Sequence, residues 1–151
     1  MTAGRFEEWQ PIAGYEGFYE VSNLGRVRSL TRRIQCSNRV VVRNGKVLKQ
    51  NRDSTGHYQV CLCDHTKRKT HLVHRLVMAA FVGSCPDGME VCHNNGNPAD
   101  NRLVNLRYDT RSNNTLDKVV HGTHNWMESR GGFIPDAHFR KSPLVMGKSA
   151  A

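Results

Sequence analysis

The feature that most constrains this sequence is the octet NNGNPADN at residues 94–101. It is too polar to bury a face and too rich in turn formers for regular structure. Its neighbours must therefore be separate elements joined by a loop. Before it, Met89–Cys92 reads as a short strand. After it, Leu103–Thr110 reads as a second, with Asn105 at its approach. Thr110–Val120 then takes helical spacing, with Thr110 or Ser112 as candidate N-cap and Gly122 as a stop.

Upstream, short strands are expected. Phe18–Ser22, a turn at Asn23-Leu24-Gly25 and Arg26–Leu30 read as a β-hairpin. Arg39–Arg43 is a strand candidate, Asn44-Gly45 a strong hairpin turn, and Lys46–Gln50 its return. In Gly56–Cys63, Tyr58, Val60 and Leu62 alternate against His57, Gln59, Cys61 and Cys63, the period of a half-buried strand. Cys61 and Cys63 then share a face, and without a second pair nearby they read as unliganded strand residues. Asp64–Lys69 is a basic turn into Thr70–Val73. At His74 the period changes: Val73, Val77, Ala80 and Phe81 form one stripe of a short helix ending near Gly83. Residues 125–151 show no sustained period and read as a loosely ordered tail.

The length of 151 residues suits one compact domain or two small modules sharing a core. The charge narrows the choice of partner. Lys and Arg number 22 against 13 Asp and Glu, a formal charge of +9. The excess is local: from Arg26 to Arg75 there are thirteen Lys or Arg but only Asp53 and Asp64. Cations concentrated this way suit a polyanion, because neutralising phosphates and releasing counterions needs several close together. No apolar stretch is long enough to span a bilayer, and MTAGRFEEWQ lacks the apolar core of a signal peptide. Five cysteines without a CxxC pair argue against a disulfide framework or a standard zinc finger. A reduced, cytoplasmic protein is expected.

The segment 89–114, MEVCHNNGNPADNRLVNLRYDTRSNN, carries the chemistry. His93 closes the first strand, Asn105 follows twelve residues later, and Asn114 lies nine beyond on the helix. A neutral imidazole can take a proton from water near neutral pH. Cutting a phosphodiester needs such an activated water, and a cation to offset the extra charge on phosphorus and the leaving oxygen. An amide such as that of Asn105 can both donate to and accept from a loop backbone, fixing how His93 is presented.

From Trp9 to about His124 the chain resembles the HNH homing endonucleases of phages and phage introns. EEWQPIAGYEGFYEVSNLGRVRS is similar to the modular DNA-binding motif often attached to them. HRLVMAAFVG followed by VCHNNGNPADNRLVNLRYDTRSNN is similar to their catalytic core. The resemblance implies an α+β protein: a β-rich DNA-binding part over residues 5–70, a ββα-metal (HNH, His-Me finger) core over 71–124, and the tail. It implies metal-dependent cleavage of double-stranded DNA by a monomer or a homodimer, with His93 as general base, Asn105 ordering the loop and Asn114 a metal ligand. The family carries a metal-binding aspartate just before the base; here that residue is Cys92. Mg²⁺ prefers hard oxygen ligands, so Cys92 would either supply a thiolate, favouring Mn²⁺, Co²⁺, Ni²⁺ or Zn²⁺, or stay off the metal. The rival reading is a DNA-binding protein that keeps the fold without cleaving.

For DNA contact, Arg26, Arg28, Arg32 and Arg33 follow the predicted hairpin, where a two-stranded ribbon can enter a major groove. Lys67, Arg68, Lys69 and Arg75 are expected to contact phosphates. His74 is expected to pack or to touch the DNA backbone. His121 and His124 follow the last helix, with no cysteine nearby in sequence to complete a zinc site.

Overall fold

The computed structural model describes residues 6–64 and 66–122. In chain order the elements are β1 (Trp9–Pro11), β2 (Tyr19–Ser22), β3 (Val27–Ser29), β4 (Arg32–Cys36), β5 (Arg39–Arg43) and β6 (Lys46–Val47). Then come β7 (Asn51–Arg52), β8 (Tyr58–Cys63), β9 (Arg68–Leu72), α1 (Val73–Phe81), β10 (Met89–His93), β11 (Leu106–Thr110) and α2 (Arg111–Val120). All strand pairs are antiparallel, in sheets ordered β1-β2-β3-β6, β4-β5, β7-β8-β9 and β10-β11. The architecture is α+β. No helix among the described residues is long and apolar enough to cross a membrane.

The first hairpin forms as expected, with Tyr19 opposite Ser29 and Val21 opposite Val27. In β8 the alternation holds: Val60 and Leu62 are buried while Cys61 and Cys63 are exposed. Helix α1 lays Val73, Leu76 and Val77 on these strands, and with Ile12, Tyr19, Val21, Val27 and Leu106 they form one core. Each such side chain removed from water contributes on the order of 2 kcal/mol. The β1-β2-β3-β6 and β7-β8-β9 sheets, α1 and the β10–β11 pair thus share a hydrophobic centre to which β4–β5 adds no residue.

Asn44-Gly45 does not make a hairpin. β5 pairs backwards with β4, and β6 pairs with β3. The tight turn sits instead at Ser37, whose φ is positive at 45°. A two-residue type I′ turn needs positive φ at both central positions, and neither Asn44 nor Gly45 has it. Gly45 is used for close approach: a Cβ there would lie 2.5 Å from the Ser29 carbonyl oxygen, and its N–H donates to Thr31 Oγ1 at 2.8 Å. The expected strand Leu103–Thr110 is also shorter, since Leu103–Asn105 is a 3-10 turn. There Leu103 N–H donates to the Asn23 carbonyl at 2.8 Å, bending the chain toward the first hairpin.

Candidate active site

The antiparallel pair β10–β11 sets Cys92 opposite Arg107 and His93 opposite Leu106. Past His93 the chain turns at once, with Gly96 N–H donating to the His93 carbonyl at 3.1 Å. Asn105 then ties the loop. Its Oδ1 accepts from Asn95 N–H at 3.1 Å, and its Nδ2 donates to Asn95 Oδ1 at 2.9 Å and the Asp100 carbonyl at 2.8 Å. The Arg102 fork grips Asp100 at 2.8 and 2.7 Å and holds its carboxyl down to about 2.

His93 Nε2 lies 3.1 Å from Oδ1 of the buried Asn101. An amide oxygen only accepts, so with Oδ1 facing the ring the hydrogen sits on Nε2 and the lone pair on Nδ1. Burial lowers the pKa of His93, which keeps the ring neutral near pH 7. Asn101 is fixed in turn by the first hairpin: at Gly25 (φ 80°) a Cβ would fall 2.8 Å from Asn101 Cβ.

His93 opens on a cleft of about 560 Å³ whose lining includes His57, His74, Arg75, Glu90 and Asn114. Three imidazoles meet in it, with ring centroids 4.9 Å (His57–His74), 5.6 Å (His57–His93) and 5.2 Å (His74–His93) apart. His74, in the first turn of α1, is 5% exposed, and burial pushes its pKa down to about 3. Its Nδ1 is buried without a hydrogen-bond partner. His57 is oriented by its own turn: Nδ1 lies 2.7 Å from Thr55 Oγ1, which donates to Asp53 Oδ1 at 2.6 Å. Burial lowers its pKa too.

Helix α2 closes the far side. Thr110 is its N-cap, accepting from Asn113 N–H at 3.4 Å. Arg107 fastens the helix by ion-pairing with Asp117, with Asp109 at 3.1 Å, while donating to Asn94 Oδ1 at 2.6 Å. Asn114 Nδ2 donates to Glu90 Oε1 across the gap between helix and strand. Cys92 is 2% exposed, and burial raises its thiol to about 11, so it is protonated at neutral pH. Among the described residues no group of three or more His, Cys, Asp or Glu side chains forms a metal cage. A hard ion of the Mg²⁺ type does not need one, since it keeps waters and takes substrate phosphates alongside one or two protein ligands. The oxygen donors at the helix–strand gap fit such an ion; the buried thiol does not.

The basic residues divide in two. Arg26 and Arg28 ion-pair with Glu7 and Glu20 and stand over the Trp9 ring, Arg28 at 4.2 Å from its centroid. Arg32 lies over Phe18 at 5.0 Å. These side chains are engaged within the protein. Arg33, Lys67, Arg68, Lys69 and Arg75 are exposed, with no salt-bridge partner among the described residues. His121 packs over Gly96, where a Cβ would lie 2.8 Å from its ring. His124 and the expected tail lie outside the described residues.

The sequence reading did not single out His57 or Glu90 as site residues. For His57 the available signal was Asp53-Ser54-Thr55-Gly56, an Asx-turn pattern just before it. For Glu90 it was strand alternation, which puts it on the face of Cys92.

Residues 7–63 match the family model of the NUMOD4 motif, and residues 71–116 that of the HNH endonuclease. The DNA endonuclease I-HmuI of Bacillus phage SP01 is 36% identical over 118 residues, 78% of this chain and 61% of that protein. A putative HNH homing endonuclease, YosQ, derived from the SPbeta prophage of Bacillus subtilis, is 41% identical over 67 residues, 43% of this chain and 39% of its own. The solved structure of I-HmuI, described as DNA binding and cleavage by that enzyme, superposes with a TM-score of 0.64 over 78% of this chain and 61% of its own. The chain therefore spans about three fifths of I-HmuI and a smaller share of YosQ.

Proposed function

We propose that the chain, which matches the NUMOD4 motif and the HNH endonuclease models and is 36% identical to I-HmuI over 118 residues, is an HNH homing endonuclease that hydrolyses phosphodiester bonds of double-stranded DNA with a divalent metal ion. The observation that carries the reading is His93, its Nε2 3.1 Å from Asn101 Oδ1 and its pKa lowered by burial, in a cleft bounded by α2. In this reading β10, β11 and α2 are the ββα-metal core of a catalytic part over residues 71–124, and residues 5–70 are the DNA-binding part.

His93 Nδ1 takes a proton from the attacking water, while Asn101 holds the opposite edge of the ring. Asn105 keeps the loop closed so that this geometry survives DNA docking. Asn114 would hold the metal through its amide oxygen, and Cys92 stays off it, because a buried protonated thiol is a poor ligand for a hard cation. Held there, an ion of the Mg²⁺ or Mn²⁺ type would supply charge stabilisation at the phosphate and the leaving oxygen. Lys67, Arg68, Lys69 and Arg75 rest on phosphates. Arg33, exposed on β4 and without a salt-bridge partner among the described residues, would join them, with Arg26, Arg28 and Arg32 shaping that surface.

The test is nicking of supercoiled plasmid by wild type and His93→Ala across Mg²⁺, Mn²⁺, Co²⁺, Ni²⁺ and Zn²⁺. Wild type should nick with Mg²⁺ or Mn²⁺, and the variant should bind DNA equally without cutting. Binding by wild type with no cleavage under any of these metals would favour the rival, a DNA-binding protein on the same fold. The buried Cys92 at the aspartate position is the observation on its side. Open-circle versus linear product distinguishes a monomeric nickase from a dimer that cuts both strands.

A further inference from the structure

Side chains two residues apart on a strand share a face, so Glu90 and Cys92 lie on the same side of β10. Three carboxylates line the cleft: Asp53, Glu90 and Asp117. Asp53 lies 4.0 Å from His57 Nδ1 and accepts from Thr55, and Asp117 is ion-paired with Arg107. Among the described residues Glu90 has no salt-bridge partner; its Oε1 meets the side chain of Asn114. Glu90 is thus a half-buried carboxylate without a cationic partner among the described residues, and it faces the amide expected to hold a cation.

We propose that Glu90 is the carboxylate ligand of the divalent metal, facing Asn114 and taking over the role that Cys92 cannot fill. The inference rests on the nuclease reading above and names the ligand that reading lacks. In the structure Asn114 turns its NH₂ toward Glu90. A half-turn of the amide exchanges that group for Oδ1, after which a carboxylate oxygen and an amide oxygen face one ion. Two hard oxygen donors with waters and a substrate phosphate make a set suited to Mg²⁺ or Mn²⁺.

The test uses the full chain and Mn²⁺ alone, followed by paramagnetic broadening of backbone amide signals in ¹H–¹⁵N spectra, which also report folding. Wild type should show broadening centred on residues 90–93 and 113–117. Glu90→Gln keeps an oxygen able to accept from Asn114 but removes the charge, and should weaken Mn²⁺ affinity roughly tenfold or more. Cys92→Ser should leave the broadening unchanged. Adding Cys92→Asp to Glu90→Gln returns a carboxylate to the same face and should recover most of the affinity. Unchanged broadening in Glu90→Gln overturns the proposal, because a merely orienting Glu90 gives that result. Loss in Cys92→Ser overturns it too, as does wild type with no localised broadening. Plasmid nicking run in parallel keeps the two ideas apart: localised broadening without any cleavage would overturn the nuclease reading and leave the metal site standing.

Discussion

Replacing Asn105 by alanine removes the knot of the 94–101 loop, and its cost follows from three hydrogen bonds. Asn105 is 7% exposed, and its amide bonds Asn95 N–H, Asn95 Oδ1 and the Asp100 carbonyl. A hydrogen bond of this kind contributes about 1 kcal/mol net, and a donor or acceptor stranded away from water costs more. Water reaches Asn95, which moderates the loss there. The expected destabilisation is about 3 kcal/mol, a fall in Tm on the order of 10 °C for a domain of this size. Urea titration followed by circular dichroism measures it, with an unchanged slope showing that the transition itself is the same. Asn105→Asp is a sharper probe. It is isosteric and keeps the acceptor for Asn95 N–H, but sets a carboxylate against Asn95 Oδ1 and the Asp100 carbonyl. It should be at least as unstable as the alanine variant at neutral pH. A loss below about 1 kcal/mol for alanine, or an aspartate variant as stable as wild type, would refute the account of how the loop is held.

Acid stability should carry the mark of His74, neutral in the fold down to about pH 3. An unfolded imidazole takes a proton near pH 6.5, so between these values the unfolded chain binds more protons and stability falls with falling pH. His74→Phe should flatten that limb in urea midpoints measured from pH 7 to 4. His57 and His93 act in the same direction and leave part of the slope; an equally steep limb in the variant refutes the assignment. Gly25→Ala places a Cβ 2.8 Å from Asn101 Cβ at φ 80°. It should cost roughly 1–3 kcal/mol and reduce nicking by displacing the partner of His93; an unchanged Tm would contradict it. Combined Lys67→Ala, Arg68→Ala and Lys69→Ala should lower the salt slope of DNA binding by about 2–3. Arg26→Ala with Arg28→Ala, already paired to Glu7 and Glu20, should change it by less than about 1; equal effects from the two sets would refute the division into free and engaged cations.

What could be read from sequence was whatever depends on neighbours along the chain. The polar octet, the alternation of β8, the stripe of α1 and the Thr110 cap are local, and the structure has all four. Asn44-Gly45 misled because its turn preference is local while its use is not: the glycine is needed where residues 29–31 pass close by. The ion pairs of Arg26 and Arg28, expected from sequence as DNA contacts, were not legible there, because Glu7 and Glu20 are reached only when β2 and β3 pair and the N-terminal segment folds back. His57 was invisible as a site residue for the same reason. It stands 36 residues from His93 in sequence and beside it in space.

The N-terminal part is packed against the candidate active site. Gly25 packs on Asn101, which holds His93; the Asn23 carbonyl accepts from Leu103 N–H at the approach to β11; and Gly56 sits against Pro98 in the polar loop. Helix α1 carries His74 into the cleft while its other face lies on the core built from β2, β3 and β8. Six of the eleven core residues precede residue 71: Ile12, Tyr19, Val21, Val27, Val60 and Leu62. A force on the first hairpin therefore reaches the imidazole through two packed contacts with little slack, since interiors at near-crystalline density pass displacement on rather than absorb it. If DNA seats on the β-rich part as proposed, its binding and the orientation of His93 would be energetically linked. Such a linkage would run both ways, so that holding Asn101 and His93 in place would also favour the hairpin geometry offered to DNA.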